Sequence, residues 1–456
     1  LEPLIISVSG LRGLIGSALT AGVAARYAAA FGRYLLESQS KPSVCIGRDG
    51  RPSGPALADA AAGGLAALGV DVTDLGIATT PGVGIMVRHL GCSGGMVVTA
   101  SHNPSSYNGL KLLLSGGMAP PADVAAKIRE SFYKAAEGDI TGGHSEPAGS
   151  SAVSNETDQV HIGKVLGIVD AARIAAGKFK VVLDSVNGAG GPVTKKLLGR
   201  LGCEVHAIND APTGQFTHGP EPLAENLRDL CEQVKSHGAD IGFAQDPDAD
   251  RLAVVDENGR YIGEEYTLAL AAGHVFGKIK GSAATNLSTS RMIDDAAAAA
   301  GCTVIRTPVG EANVAAAMIE HGCVIGGEGN GGVIDLRVGP IRDSLVAAAL
   351  LLELMAETGR PVSALAGELG RYCMVKEKFA ADPQQAERIL DLASRAFAGA
   401  RVNTADGRRF DFEEGWVHLR TSNTEPVMRV IAEAADAETA RKYIETVERI
   451  RRQTTP

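Results

Sequence analysis

A chain of 456 residues exceeds what one hydrophobic core usually serves, so three or four packed units are expected. Apolar residues make up 45% of it, with no unbroken run long enough for a bilayer, which excludes a membrane-spanning helix. A formal charge of -9, one Trp and few other aromatics exclude a nucleic-acid surface, because a phosphate backbone needs basic patches and bases need stacking platforms.

At the N-terminus, residues 4–8 read as a β-strand with neither a basic leader nor a small-residue cleavage site, so no secretory signal is expected. Short β-branched runs then alternate with Ala-rich amphipathic stretches to about residue 370, as in 43–47 followed by 55–68. This is an α/β pattern with buried sheets. It restarts after the polar stretch 137–157 and again after the turn Asp256-Glu257-Asn258-Gly259. Beyond Gly370 the order changes to strand 373–379, helix 383–398, strands 407–421 and 426–433, and a charged helix 436–452. The predicted units are therefore α/β domains at 1–150, 151–257 and 258–370 and an α+β domain at 371–456, with no sequence repeat of fixed period among them. Seven scattered cysteines (Cys45, Cys92, Cys203, Cys231, Cys302, Cys323, Cys373) form no C-x-x-C pair and fit neither a disulfide framework nor a zinc site. A reducing cytoplasm is the expected compartment.

Four loops stand out. The strand 95–98 runs into Thr99-Ala100-Ser101-His102-Asn103-Pro104, which presents a serine beside His, Asn and Thr; by local composition it is equally an ordinary turn. Lys111 interrupts the apolar run Leu110, Leu112, Leu113, Leu114, and either faces outward on its strand or is held at a site by a partner charge. In Asp246-Pro247-Asp248-Ala249-Asp250-Arg251, three carboxylates at alternate positions repel one another unless a cation sits between them. An EF-hand is excluded by Arg251, which stands where that loop needs a sharp-turning Gly, and a small set of hard oxygen ligands suits Mg²⁺.

A glycine-rich stretch, Gly326-Gly327-Glu328-Gly329-Asn330-Gly331-Gly332, follows an expected strand at 323–325; its spacing fits neither a dinucleotide nor a Walker loop, but Glu328 and Asn330 offer the groups that sugar hydroxyls bind. The last loop, Arg420-Thr421-Ser422-Asn423-Thr424-Glu425-Pro426 with Arg429, reads as a hairpin between strands 415–420 and 427–433 and also as a phosphate cradle.

In this order, T-A-S-H-N-P, D-P-D-A-D-R, G-E-G-N-G-G and R-T-S-N-T-E-P resemble the α-D-phosphohexomutase superfamily, over essentially the whole chain and with one signature per predicted domain. Ser9-Gly10-Leu11-Arg12-Gly13 and Gly47-Arg48-Asp49 add to the resemblance. It implies a heart-shaped, four-domain protein with three related α/β domains of mixed sheet and a C-terminal α+β domain. It implies that Ser101 carries a phosphoryl group, and that Asp246, Asp248 and Asp250 hold Mg²⁺ together with Ser101. Lys111 would be a general acid/base of depressed pKa, with Arg12, His102 and Arg251 nearby. Glu328, Asn330, Gly327, Thr307 and Gly310 would contact the sugar, and Arg420, Ser422, Asn423, Thr424 and Arg429 the non-reacting phosphate.

The reaction implied interconverts hexose 6- and 1-phosphates through a 1,6-bisphosphate, with small hexose phosphates as the partners of a monomer or homodimer. G-E-G-N-G-G and the segment 307–314 look most like the archaeal-type phosphoglucosamine mutase and phosphomannomutase/phosphoglucomutase branch, with glucosamine phosphate preferred. Many bacterial members carry Ser and His where Asn330 and Gly332 stand here. Two other readings stay in play: an inactive sugar-phosphate-binding protein and a Mg²⁺-dependent phosphatase.

Overall fold

The computed structural model describes residues 4–135, 148–421 and 427–454. Its strands form four sheets, of seven, four, four and five strands. In the first, Asp71–Ile77, Ser43–Arg48 and Gly94–Val98 run parallel, and Tyr107–Leu114 closes antiparallel on Gly94–Val98. The second repeats that plan with Glu204–Ile208, Lys180–Asp184 and Ile241–Gln245 parallel and Leu252–Asp256 antiparallel. So does the third, with Thr303–Thr307, Ser282–Asn286 and Ile325–Glu328 parallel and Gly332–Ile334 antiparallel. Parallel neighbours need helical crossovers, which bury both faces of such sheets and explain the near-continuous apolar strands. The fourth sheet is antiparallel throughout, in the order Cys373–Ala380, Val427–Ala434, Gly415–Thr421, Arg408–Asp411 and Arg401–Asn403. These are four domains with mixed α/β content, as expected, the fourth of a different kind.

Three details differ from the sequence reading. Ser151–Val153 pairs in parallel with Asp71–Ile77, so the first sheet extends past the expected break at 150. The expected strand 407–421 is two strands, because the chain turns through Glu413 and Glu414 between Arg408–Asp411 and Gly415–Thr421. The strand expected at 323–325 lies at Ile325–Glu328 and takes in two glycines. A Cβ on Gly326 would lie 2.3 Å from Met318 Sδ, so the strand can pack under its helix only without a side chain there.

The second and third sheets share one core, in which Val181, Leu183 and Phe243 cluster with Leu268, Ile325 and Leu350. Through its middle runs the helix Ser344–Thr358, buried on nearly all sides and capped by Asp343, whose Oδ1 accepts from the Leu345 and Val346 amides. Among the described residues no helix is long and apolar enough to cross a membrane.

Candidate active site

The shared topology sets the site. In each of the first three domains the signature loop joins the third parallel strand to the antiparallel one: 99–106, 246–251 and 329–331. Ligands of open α/β sheets bind at such carboxyl ends of strands.

Ser101 is buried, with φ of 50°. A non-glycine residue there carries strain that its surroundings must offset. Its amide donates to Thr99 Oγ1 at 2.9 Å and its hydroxyl to Asp246 Oδ2 at 2.9 Å, with His102 Nδ1 3.3 Å from the same hydroxyl. The loop is held from beneath by Arg51, which the sequence reading passed over. Its guanidinium donates to the carbonyls of Ser101, Asn103, Pro104 and Tyr107 at 2.6–2.7 Å and to Asp49 Oδ2 at 3.0 Å. Phe216 of the second domain covers it, 5.0 Å from ring centroid to guanidinium. Asp49-x-Arg51, directly after the noted Gly-Arg-Asp, was the available signal.

The carboxylates Asp246, Asp248 and Asp250 are fully buried, and each offers an oxygen within 4.8 Å of the others. Asp248 Oδ2 accepts from Thr80 Oγ1 and from Lys111 Nζ, both at 2.5 Å. The Thr80 amide, at a helix N-terminus, also reaches the Asp248 carbonyl at 2.9 Å. Asp250 Oδ2 accepts from Lys111 Nζ at 3.1 Å and from Arg342 Nη2 at 2.7 Å. Asp248 Oδ1 and Asp250 Oδ1 are buried with no hydrogen-bond partner. An unpaired buried carboxylate oxygen is costly, and two beside each other in a hard oxygen set fit a divalent cation such as Mg²⁺.

Burial and the charges of Asp250 and Asp248 push Asp246 well above the usual carboxylate range. Asp248 and Asp250 go the other way: burial works to raise them, but Lys111 and, for Asp250, Arg342 hold them down. The depressed pKa expected of Lys111 belongs to a site that holds a metal; with the carboxylates alone around it the balance is the other way. Burial does act to lower it, but the contacts with Asp248 and Asp250 outweigh burial and the pKa is raised. Burial, with Arg251 and Arg12 adding to it, lowers His102 to about 2, so its ring is neutral.

Arg251 Nη2 lies 3.1 Å from His102 Nδ1 and Nη1 donates to Glu221 Oε1 at 3.1 Å, while Arg12 Nη1 donates to Asn103 Oδ1 at 3.1 Å. Arg342, also missed by sequence, ties the metal loop to the sugar loop. Besides Asp250 it donates to Glu328 Oε2 at 2.7 Å and Glu311 Oε2 at 2.9 Å. Glu328 Oε1 accepts from Asn286 Nδ2 at 2.7 Å and from the Gly310 amide at 3.2 Å. Asn330 Oδ1 accepts from the Gly332 amide at 3.3 Å, and Thr307 Oγ1 donates to the Pro308 carbonyl at 2.9 Å. Gly327 has φ of 149°, and a Cβ on it would lie 2.1 Å from the Gly332 carbonyl.

In the fourth sheet Arg420 and Arg429 are cross-strand partners in register, on the same face of the hairpin. Ser422, Asn423 and Thr424 lie outside the described residues. The structure thus brings Ser101, His102, Lys111, Arg12, Arg251 and the three aspartates into one connected cluster, with Glu328 joined to it through Arg342.

Four families match in succession: Phosphoglucomutase/phosphomannomutase alpha/beta/alpha domain I at residues 4–139, domain II at 159–259, domain III at 264–372 and the C-terminal domain at 372–450. A phosphoglucomutase/phosphomannomutase of Thermococcus kodakarensis is 38% identical over 96% of each chain. A probable phosphoglucosamine mutase of Methanopyrus kandleri is 36% identical over 95% of this chain and 94% of that one. Among solved structures, a phosphoglucomutase/phosphomannomutase family protein of Burkholderia thailandensis superposes with a TM-score of 0.86 at 30% identity, covering 99% of this chain and 98% of the other.

Proposed function

Since the chain belongs to the phosphoglucomutase/phosphomannomutase family and is a phosphohexomutase, we propose that Ser101 is its phosphoryl carrier and that glucosamine phosphate is its preferred substrate. The observation that carries the first part is the buried hydroxyl of Ser101, at a strained backbone, 2.9 Å from Asp246 of the aspartate cluster, in which two carboxylate oxygens have no hydrogen-bond partner. The second part rests on the kinship with phosphoglucosamine mutases and on the G-E-G-N-G-G loop.

Phospho-Ser101 gives its phosphoryl group to the free hydroxyl of a hexose monophosphate: the bond from phosphorus to Oγ breaks as the bond to the sugar oxygen forms, and the hydroxyl proton leaves to a base. The bisphosphate turns over in the cleft, and its other phosphoryl group returns to Ser101. Asp246, Asp248 and Asp250 would hold Mg²⁺, whose charge offsets that building on the transferring group. Lys111 is charged while it bonds Asp248 and Asp250. When a cation neutralises those carboxylates, burial and the charges of Arg12 and Arg342 act to lower the Lys111 pKa, which suits it to exchange the sugar proton. Glu328, held on both oxygens, is preset to accept from ring hydroxyls.

Arg420 and Arg429 would take the non-reacting phosphate. Two guanidiniums in register repel each other, and an anion between them turns that repulsion into binding.

The test is a coupled assay of glucosamine, glucose and mannose 1-phosphates with a trace of hexose 1,6-bisphosphate, on the wild type and Ser101→Ala. The wild type should favour glucosamine 1-phosphate and Ser101→Ala should lose turnover by at least about a thousandfold, as for loss of a nucleophile. Undiminished turnover by Ser101→Ala would sink the carrier role, and a preference for glucose or mannose the sugar assignment.

A further inference from the structure

The fourth domain meets the third through a polar seam rather than an apolar one. Its centre is Asp406, in the turn between Arg401–Asn403 and Arg408–Asp411. A single oxygen, Asp406 Oδ2, accepts from Arg420 Nε at 2.9 Å and from the Val309 amide at 3.0 Å. Val309 belongs to the segment whose next amide, that of Gly310, bonds the sugar-loop carboxylate of Glu328. The Asp406 carbonyl is fixed as well: it lies 2.6 Å from Nε2 of the fully buried His418, whose Nδ1 lies 2.9 Å from Ser288 Oγ of the third domain. A carbonyl only accepts, so Nε2 carries the hydrogen, and the neutral ring takes the Ser288 proton on Nδ1.

The turn itself is built for this reach. Gly407 has φ of 64°, and a Cβ on it would sit 2.1 Å from the Leu419 carbonyl, so the turn lies directly against the strand that carries Arg420.

We propose that Asp406 is a positioning residue that aims the Arg420 guanidinium at the substrate's non-reacting phosphate, through a carboxylate oxygen that also bonds the 307–310 segment. The inference rests on the phosphate role proposed for Arg420. With Nε engaged by Asp406, the Nη1–Nη2 edge is the one turned to a phosphate, the geometry in which a guanidinium grips two oxygens at once. Because the Val309 amide shares the same carboxylate oxygen, phosphate capture and the seating of the sugar loop become one event. Undocking the fourth domain removes the Val309 donor from Asp406, while the Arg420 and His418 contacts to Asp406 stay within the fourth domain.

The experiment compares Asp406→Ala, Asp406→Asn, Arg420→Ala and the double variant Asp406→Ala/Arg420→Ala. It measures KM and kcat for the best hexose 1-phosphate, and thermal unfolding without ligand. The expected result is a rise in KM of about tenfold for Asp406→Ala, the scale of ordering one long side chain. Asp406→Asn, which keeps an acceptor but loses the charge, should rise less, kcat should change by less than about twofold in each single Asp406 variant, and the double variant should match Arg420→Ala. A purely structural Asp406 would lower the unfolding temperature and kcat and leave KM in place, which overturns the proposal. A KM that rises in Arg420→Ala but not in Asp406→Ala, or effects that multiply in the double variant, also overturn it while leaving the phosphate role of Arg420 intact. An unchanged KM in Arg420→Ala overturns both.

Discussion

Arg51 illustrates how much of a catalytic serine's geometry is decided by a residue that never touches substrate. Its five side-chain bonds hold a loop whose serine sits at φ of 50°, and the guanidinium is wholly buried. Arg51→Met would strand Asp49 as a buried charge and take a donor from each of four carbonyls, at a cost of about 3–5 kcal/mol. Arg51→Lys keeps the charge but cannot span the fork, and should cost less while still slowing phosphorylation of Ser101 by hexose 1,6-bisphosphate. Denaturant unfolding and intact-protein mass after brief incubation read the two effects; wild-type phosphorylation in Arg51→Lys would show that the clamp does not set the serine. Ser101, the aspartates and Glu328 were legible because each signature is a run of adjacent residues. Arg51, Arg342 and Asp406 were not, since the contacts that give them their roles, to the carbonyls of the serine loop, to Asp250 and to the Val309 amide, span 50 or more, 92 and 97 positions along the chain. Only the fold reveals such pairs.

At the level of elements, the strand Gly415–Thr421 carries both Arg420 and the buried His418, and it ties them to the stability of the domain seam. Burial, with Arg409 and Arg420 adding to it and Asp406 opposing, lowers His418 to about 4. In the unfolded chain a His titrates near 6.5. Between these values the unfolded state binds more protons, so stability rises with pH: the contribution is complete above about 6.5 and is lost as pH falls towards 4, on the order of 3 kcal/mol in all. His418→Gln, which offers an amide donor and acceptor without a titrating group, should flatten that part of the pH dependence in unfolding curves taken at pH 4.5 and 7.5. A slope the same as wild type would exclude His418 as its source. The same region shows why element boundaries were harder to read than element types. The turn at Glu413 and Glu414 holds no Pro or Asn, and Phe410, Phe412 and Trp416 keep the same alternate positions on either side of it, so 407–421 looked continuous. Conversely, Gly326 and Gly327 look like loop residues, yet pairing with Ser282–Asn286 and close packing under Met318 put them in a strand.

For the whole molecule, the decisive feature is the thrice-repeated order of three parallel strands and one antiparallel, which carried no repeat of fixed period in the sequence. Packing constrains size and polarity rather than identity, so repeated topology can outlast repeated residues. The consequence is that the first and third domains both converge on the Asp246/Asp248/Asp250 cluster of the second: Asp246 meets Ser101 and Asp248 meets Thr80 from the first domain, and Asp250 meets Arg342 from the third. A cation held there would therefore stabilise the joint between domains and not one loop. Mg²⁺ at a hundred times its dissociation constant contributes about 2.7 kcal/mol, which for one cooperative transition of a chain this long raises the unfolding temperature by about 3 °C. Asp246→Asn is the discriminating variant, because Asn can keep the Oδ1 acceptor that holds the Asp250 and Arg251 amides at 3.1 Å while removing a charge that burial already disfavours. Melting curves in EDTA and in excess Mg²⁺ should differ for the wild type and coincide for Asp246→Asn, with the variant's metal-free curve close to that of the wild type. An undiminished Mg²⁺ shift in Asp246→Asn would place the cation elsewhere, and the convergence of the three domains would then serve the substrate alone.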